Sequence, residues 1–267
     1  MTSKIEKGIM DLSKYDLVVK RFNLALDENQ LGSPELEFAR TSYPGFEAHL
    51  YTIADAALWI PELDSSNDAL VLKGSRNRVN PYDSWMRLLD VTNRIMKYLE
   101  FYRQEVKHGI IPSTNWLFNE YQWYRKNWDH PQHKTLTVDE FLPSVDESIR
   151  VHIRVLNDLG FSTTQSCSGM EKDHRDREPY LPYVMFDERA YQRSSAHLFT
   201  LADISGWIPS YGPHNFDIEF RLLDSTDAEA HWDKLVESAR TLVRLLQDYR
   251  TTVKPDLAIA HQQFQIL

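Results

Sequence analysis

The sequence predicts an α/β fold built from two tandem strand–helix–strand–helix repeats, which we expect to form a pseudo-symmetric two-layer α/β architecture. The first observation behind this prediction is an internal repeat, in which residues 34–61 align without gaps to residues 182–209. The match resumes after one deleted position and extends to Arg103 in the first copy and Arg250 in the second. The second observation is that each copy alternates short β-prone segments with amphipathic helical segments. Units of this kind usually pack their helices against one face of a sheet.

The first half of each copy predicts a short strand followed by a helix. The strands cover residues 36–40 and 183–187, and the helices cover residues 47–58 and 195–205. Apolar side chains recur at helical spacing in the first of these helices, at Ala48, Tyr51, Ala54 and Leu58. Because the same spacing returns in the second copy, we expect both helices to bury one face against a sheet.

The second half of each copy predicts another strand and a long amphipathic helix. The strands cover residues 69–73 and 216–222, and the helices cover residues 81–107 and 227–251. Phe216, Ile218 and Phe220 alternate with acidic residues, which is typical of a strand with one buried and one wet face. In the first copy Pro81 is the predicted start signal of the long helix and Gly109 the stop signal. In the second copy the corresponding signals are Thr226 and Pro255.

The repeat divides the chain into three parts. We expect a first repeat unit at residues 1–109 with its core at 34–107, and a second at residues 144–267 with its core at 182–251. Residues 110–143 form an aromatic-rich connector, which either packs as a helix against both units or offers an aromatic binding surface. In the second case Trp116 and Trp123 would bind a planar substrate or hold a partner protein.

Composition limits the classes of protein to consider. The net charge is −9 over 267 residues, which argues against non-specific nucleic-acid binding, although a local basic groove stays open. The single cysteine, Cys167, excludes a disulfide framework and any zinc site built from several cysteines. No run of the sequence has the length and apolarity of a signal peptide or a membrane span. We therefore expect a soluble, cytoplasmic protein with no membrane partner.

The most distinctive string of the second unit is Phe161-Ser-Thr-Thr-Gln-Ser-Cys-Ser-Gly169, and we call residues 166–169 the SCSG loop. A helix over residues 144–160 leads into this β-prone run, and no counterpart with the same spacing is visible ahead of the first unit. Small residues at the end of a strand let backbone amides approach an anionic ligand. The alternative is a tight polar turn that buries a structural cysteine.

Nucleophilic chemistry at this loop would need a base near the thiol. The predicted catalytic residues are therefore Cys167, His174 seven residues later, and His197 at the start of the following helix. His49 occupies the position of His197 in the first copy, which favours a role in the shared architecture instead.

A charged run over residues 171–178 and the string His130-Pro-Gln-His133 are the other candidates for chemistry. Asp173, His174 and Asp176 could be metal ligands or an acid/base group beside the loop, but such mixed-sign runs are usually solvated loops. The sequence prediction assigns no metal site. Motifs typical of dinucleotide, P-loop, zincin and α/β-hydrolase sites are missing from the sequence.

Residues 144–225, with a helix, the string Leu-Gly-Phe-Ser-Thr-Thr-Gln-Ser-Cys-Ser-Gly and a later strand, resemble the wybutosine-synthesising methyltransferase family. The resemblance implies binding of S-adenosylmethionine and methyl transfer to a tricyclic guanine derivative of a tRNA. It implies that Thr164, Ser166, Ser168 and Gly169 bind the cofactor. We expect the aromatic side chains of Trp116, Trp123 and Tyr183 to bind the substrate. We expect a small-molecule-binding protein with its site at the SCSG loop. The sequence does not decide whether the protein is an enzyme. The alternative is a non-catalytic scaffold that holds a partner protein.

Overall fold

The computed structural model describes residues 2–26, 33–39, 43, 45–63, 69–74, 80–108, 138–174, 181–188, 190–191, 193–211, 217–224 and 226–251. Two compact units divide the chain, one formed by residues 1–118 and 245–249 and the other by residues 119–244 and 250–267. The helices and strands of each unit are given separately below.

The first unit carries a four-stranded antiparallel sheet in the order β1-β2-β4-β3. Its strands are β1 (Val19–Asn23), β2 (Glu35–Ala39), β3 (Trp59–Leu63) and β4 (Ala69–Gly74). Its helices are α1 (Thr2–Met10), α2 (Phe46–Ala57), α3 (Pro81–Tyr98) and α4 (Glu100–Lys107). The predicted helix over residues 81–107 is thus divided at Leu99, whose backbone ψ of 2° leaves the α-helical region.

The second unit repeats this sheet with the order β5-β6-β8-β7, again antiparallel throughout. Its strands are β5 (Thr163–Cys167), β6 (Tyr183–Asp187), β7 (Ile208–Tyr211) and β8 (Asp217–Arg221). Its helices are α5 (Val138–Phe141), α6 (Arg150–Asp158), α7 (Ser194–Ser205) and α8 (Ala228–Leu245). The predicted fold class is confirmed, since the protein is a mixed α/β structure with two similar halves.

Each sheet has four strands: the first has two more than the sequence predicts, β1 and β3, and the second has one more, β7. Strand β3 begins one residue and strand β7 two residues after a helix cap of positive φ, and each strand contains a proline, at Pro61 and Pro209. Proline has no N–H to donate, so it is tolerated in edge strands such as these. A proline inside an apolar run also interrupts the alternation by which a strand is recognised. These two strands are therefore not predicted from the sequence.

A structural counterpart of β5 exists ahead of the second strand of the first unit, at a spacing different from that in the second unit. Strand β1 pairs with β2 as β5 pairs with β6, and Asn23 faces Glu35 where Cys167 faces Tyr183. Glu35 and Tyr183 are equivalent repeat positions, so Asn23 is the first unit's equivalent of Cys167. The equivalence escapes the sequence because Val19–Asn23 and Thr163–Cys167 share no identical residue and the offset differs from that of the repeat.

Residues that both copies retain build the cores. Trp59 and Trp85 pack edge to face with ring centroids 4.8 Å apart, and Trp207 and Trp232 do so at 5.1 Å. Almost every side chain of helix α7 is buried, as in α2. Among the described helices, none combines the length and the apolarity that a membrane crossing requires.

Candidate functional site

The SCSG loop follows β5, and Asn157 near the end of α6 fixes where that strand begins. The Asn157 side-chain amide donates to the Thr163 hydroxyl at 2.7 Å, and its carbonyl oxygen accepts from the Thr163 backbone N–H at 3.2 Å. Gly160 reverses the chain between them with a φ of +81°. Helix and strand are therefore held in register, and Cys167 comes at the end of β5.

Gly169 is required by the packing of the loop. Its φ is +67°, and a Cβ atom there would lie 2.4 Å from Pro182 Cγ and 2.7 Å from Pro182 N. The sequence predicts that backbone groups here approach an anionic ligand, and that stays a prediction. The group that lies close to this glycine is a proline of the same unit, next to strand β6.

Three side chains of different chemistry meet at the end of β5. Cys167 Sγ lies 3.4 Å from His174 Nε2, and the same nitrogen lies 3.5 Å from Asp146 Oδ2. One ligand-type atom from each residue lies within 4.8 Å of the other two. The cysteine is 5 % exposed, and the imidazole and carboxylate side chains are 13 % and 22 % exposed. We call Asp146, Cys167 and His174 the Asp–Cys–His cluster.

Asp146 is the member of the cluster that the sequence analysis missed. Its position ahead of a helix suggests a helix cap, but its side chain makes no capping hydrogen bond to the 3-10 turn that follows. The Ser168 backbone N–H donates to Asp146 Oδ2 at 2.7 Å. The contact spans 22 residues, and no spacing rule connects the two positions.

Ser168 is fully buried, and its polar groups are bonded inside the protein. Besides the bond to Asp146, its carbonyl oxygen accepts from the Trp232 indole at 3.3 Å and its hydroxyl oxygen accepts from the Met170 N–H at 3.1 Å. The Gly169 N–H is directed to the sulfur of Cys167. Both amides are thus directed to groups of the protein itself, the Asp146 carboxylate and the Cys167 sulfur, and cofactor binding by them stays a prediction.

Burial raises the pKa of the Cys167 thiol, and the negative charges of Asp146 and Asp173 raise it further, against the hydrogen bond from Gly169. Burial also acts to raise the pKa of Asp173, but hydrogen bonds from Ser148 and Ser168 outweigh it and lower that pKa. These shifts favour a protonated Cys167 thiol in the cluster and an ionised Asp173 beside it at neutral pH.

Of the other predicted catalytic residues, His197 belongs to the core. It is fully buried, and its Nδ1 lies 3.1 Å from the Tyr191 hydroxyl. In the first unit His49 Nδ1 lies 2.8 Å from the Tyr43 hydroxyl. The same arrangement exists where Asn23 replaces the cysteine, which favours a packing role for His197, and its catalytic role stays a prediction.

The remaining predicted site residues lie in different environments. Tyr183 is half-buried, pairs with Cys167 between β6 and β5, and has the Arg221 guanidinium 5.9 Å from its ring centroid. Burial raises its pKa, and the neighbouring Cys167 adds to the effect. Thr164 is exposed and Ser166 half-buried. Some positions lie outside the described residues: Trp116, Trp123, Asp176 and the string at 130–133.

A groove of about 630 Å³ lies in the first unit, away from any motif of the sequence. Its lining includes five basic side chains and two acidic ones. The basic residues are Lys14, Arg94, Lys97, Arg103 and Lys107. Arg103 donates to Asp16 Oδ2 at 2.8 Å. The groove is therefore a local basic surface, which the negative net charge of the chain does not exclude.

Comparison of the chain with protein-family models, with curated proteins and with solved structures found no match.

Proposed function

We propose that this chain is a small-molecule-binding protein whose site lies at the SCSG loop and is built around the Asp–Cys–His cluster. The observation that carries the proposal is the convergence of a carboxylate from one segment with a thiol and an imidazole from another. Burying such groups costs free energy, so a turn with a purely structural role has no need of all three. Groups with shifted pKa values, such as Cys167 and its neighbours Asp173 and Tyr183, concentrate at functional sites.

Each residue near the loop takes a role in this proposal. His174 and Cys167 supply the reactive groups, and Asp146 fixes them through its bond to the Ser168 amide. Tyr183 lies on the neighbouring strand opposite Cys167, where its half-buried ring is placed to contact a bound ligand. Ser168 and Gly169 position the cluster.

The resemblance to the wybutosine-synthesising family would make the ligand S-adenosylmethionine and the reaction a methyl transfer. That version needs the amides of Ser168 and Gly169 for the cofactor, and both are directed to side chains of the cluster. These residues fit the cofactor poorly. We therefore propose the site without it, and expect no rise in melting temperature with millimolar S-adenosylmethionine.

Mass spectrometry of small molecules that co-purify with the chain tests the proposal. We expect one compound to be enriched with the wild-type protein and lost in Cys167→Ser and His174→Gln. Asn23→Ser is the matched control, since Asn23 occupies the equivalent place in the first unit. Equal recovery from all four proteins, or no enrichment in any, would overturn the proposal.

The second candidate is a non-catalytic binding protein, and the basic groove of the first unit favours it. Its charges suit an acidic segment of a partner protein. Fluorescence anisotropy with a labelled polyglutamate peptide tests this reading. Binding that is lost in Arg94→Glu/Lys97→Glu and weakened by salt would support it, and wild-type binding no stronger than that of the variant would contradict it.

A further inference from the structure

We propose that Asp146, Cys167 and His174 bind a Zn²⁺ ion. Two of the three distances between their donor atoms match what a tetrahedral zinc site requires, and all three donor atoms lie within 4.8 Å of one another. Zinc bonds of about 2.0–2.3 Å at tetrahedral angles separate neighbouring ligand atoms by roughly 3.3–3.6 Å. The sulfur-to-nitrogen distance is 3.4 Å, and the nitrogen-to-oxygen distance is 3.5 Å.

The orientation of His174 distinguishes a metal site from a proton relay. A relay of the Ser–His–Asp kind uses both ring nitrogens, one toward the nucleophile and the other toward the carboxylate. Here the single nitrogen Nε2 faces both Cys167 Sγ and Asp146 Oδ2. One nitrogen has one proton or one lone pair to offer, so it cannot link the two groups in sequence. A shared cation satisfies all three donors together.

The donor set selects the ion. Thiolate and imidazole ligands suit zinc, whereas calcium and magnesium prefer sites made of oxygen atoms alone. Ionised Cys167 and Asp146 together balance the two positive charges of Zn²⁺, so the loaded site is neutral, which lowers the cost of burying it. Three protein ligands leave a fourth position open for water or a ligand, as in catalytic zinc sites.

The surroundings hold the ligands in place. The Ser168 N–H orients Asp146 at 2.7 Å, and Asp173, directly before His174, accepts a hydrogen bond from Ser148. Hydrogen bonds of this kind orient metal ligands and contribute to affinity. The cluster is also close to Tyr183, the residue proposed to contact the small molecule.

This inference rests on the proposed function in placing both at the SCSG loop, and a metal titration separates the two. Tag-free protein is stripped with a chelator and titrated with ZnSO₄ against a competing chelator. We expect one zinc per chain, with at least about 100-fold weaker binding in Asp146→Asn, Cys167→Ser and His174→Gln. His231→Gln, a histidine of the same unit that lies outside the cluster, is the matched control and keeps wild-type affinity.

Cobalt substitution gives a second readout that does not depend on activity. Co²⁺ in a tetrahedral site with a thiolate ligand shows strong visible absorption and a sulfur charge-transfer band. We expect both in the wild-type protein and loss of the charge-transfer band in Cys167→Ser, while circular dichroism confirms that each variant is folded. Binding equal in the cluster variants and His231→Gln, or a cobalt spectrum without the sulfur band, would overturn the inference. A wild-type protein that binds no zinc but still carries the co-purifying compound would refute the metal site alone. Zinc binding without any compound would refute the proposed function alone.

Discussion

Trp232 donates its indole N–H to the carbonyl oxygen of Ser168 at 3.3 Å, so the long helix α8 fixes the position of the SCSG loop. The donor lies 64 residues beyond the acceptor. In the first unit Trp85 donates in the same way to the carbonyl oxygen of Leu24 at 3.0 Å. The bond is thus part of the common scaffold, and the second unit has built its cluster directly against it.

Trp232→Phe should therefore affect both stability and zinc binding. The change leaves the buried Ser168 carbonyl without its donor and creates a small cavity, which we expect to cost about 2–4 kcal/mol. Urea denaturation and the zinc titration measure the two effects. Trp85→Phe is the matched control: it should lose comparable stability and leave zinc affinity unchanged. An equal loss of zinc affinity in both variants would contradict the prediction.

Gly169→Ala should destabilise the protein more than Gly206→Ala. Both glycines have positive φ, which costs alanine about 1–2 kcal/mol. At Gly206 the nearest atom to an added Cβ is the flexible Lys234 Nζ at 3.4 Å, whereas at Gly169 the Cβ would overlap Pro182. We expect a loss of about 3 kcal/mol or more at Gly169 by thermal or urea denaturation. Equal losses would show that the loop moves away from Pro182 at no cost.

Cys167 should react slowly with iodoacetamide in the folded, metal-free protein. The side chain is 5 % exposed, and burial raises its pKa above the usual value, so folding favours the protonated thiol. This contribution to stability is fully present below the usual thiol pKa and is lost as pH rises through the raised one. We expect alkylation at pH 7.5 to be at least about 10-fold slower than in guanidinium, measured by intact-protein mass spectrometry. Similar rates in the two states would contradict the burial of the thiol.

Tyr191→Phe should lower stability without affecting the site. The variant loses the hydroxyl that lies 3.1 Å from the buried His197 Nδ1, at an expected cost of about 1–3 kcal/mol. Tyr43→Phe in the first unit removes the equivalent contact to His49 and should cost a similar amount. Zinc affinity should be unchanged in both. If Tyr191→Phe alone lost zinc binding, His197 would have to be counted among the residues of the site.

The sequence predicts those parts of the fold that both copies express in the same pattern. The helix carrying His49 or His197 and the strand pair around Phe38 or Phe186 recur at one offset, so each copy supports the other. Strands β3 and β7 escape because Pro61 and Pro209 interrupt the pattern.

The site was predictable only where it is local. The seven-residue spacing of Cys167 and His174 identifies two members of the cluster before the structure does. Asp146 comes from a separate segment, and only the folded loop brings the Ser168 amide to its carboxylate. Its position before a helix also suggests a simpler role, as a cap. Contacts of this kind depend on tertiary packing and leave no periodic signal.

The equivalence of Asn23 and Cys167 gives the chain an internal reference. Positions that agree between the two units, such as the paired tryptophans, specify the scaffold, and positions that differ mark where the second unit has specialised. Because the first unit has the Asn23 amide where the second has the Cys167 thiol, the first unit is a built-in negative control for the chemistry of the second. Grafting an aspartate, a cysteine and a histidine into the first unit would ask whether this scaffold, once duplicated, needs only three substitutions to acquire a second centre.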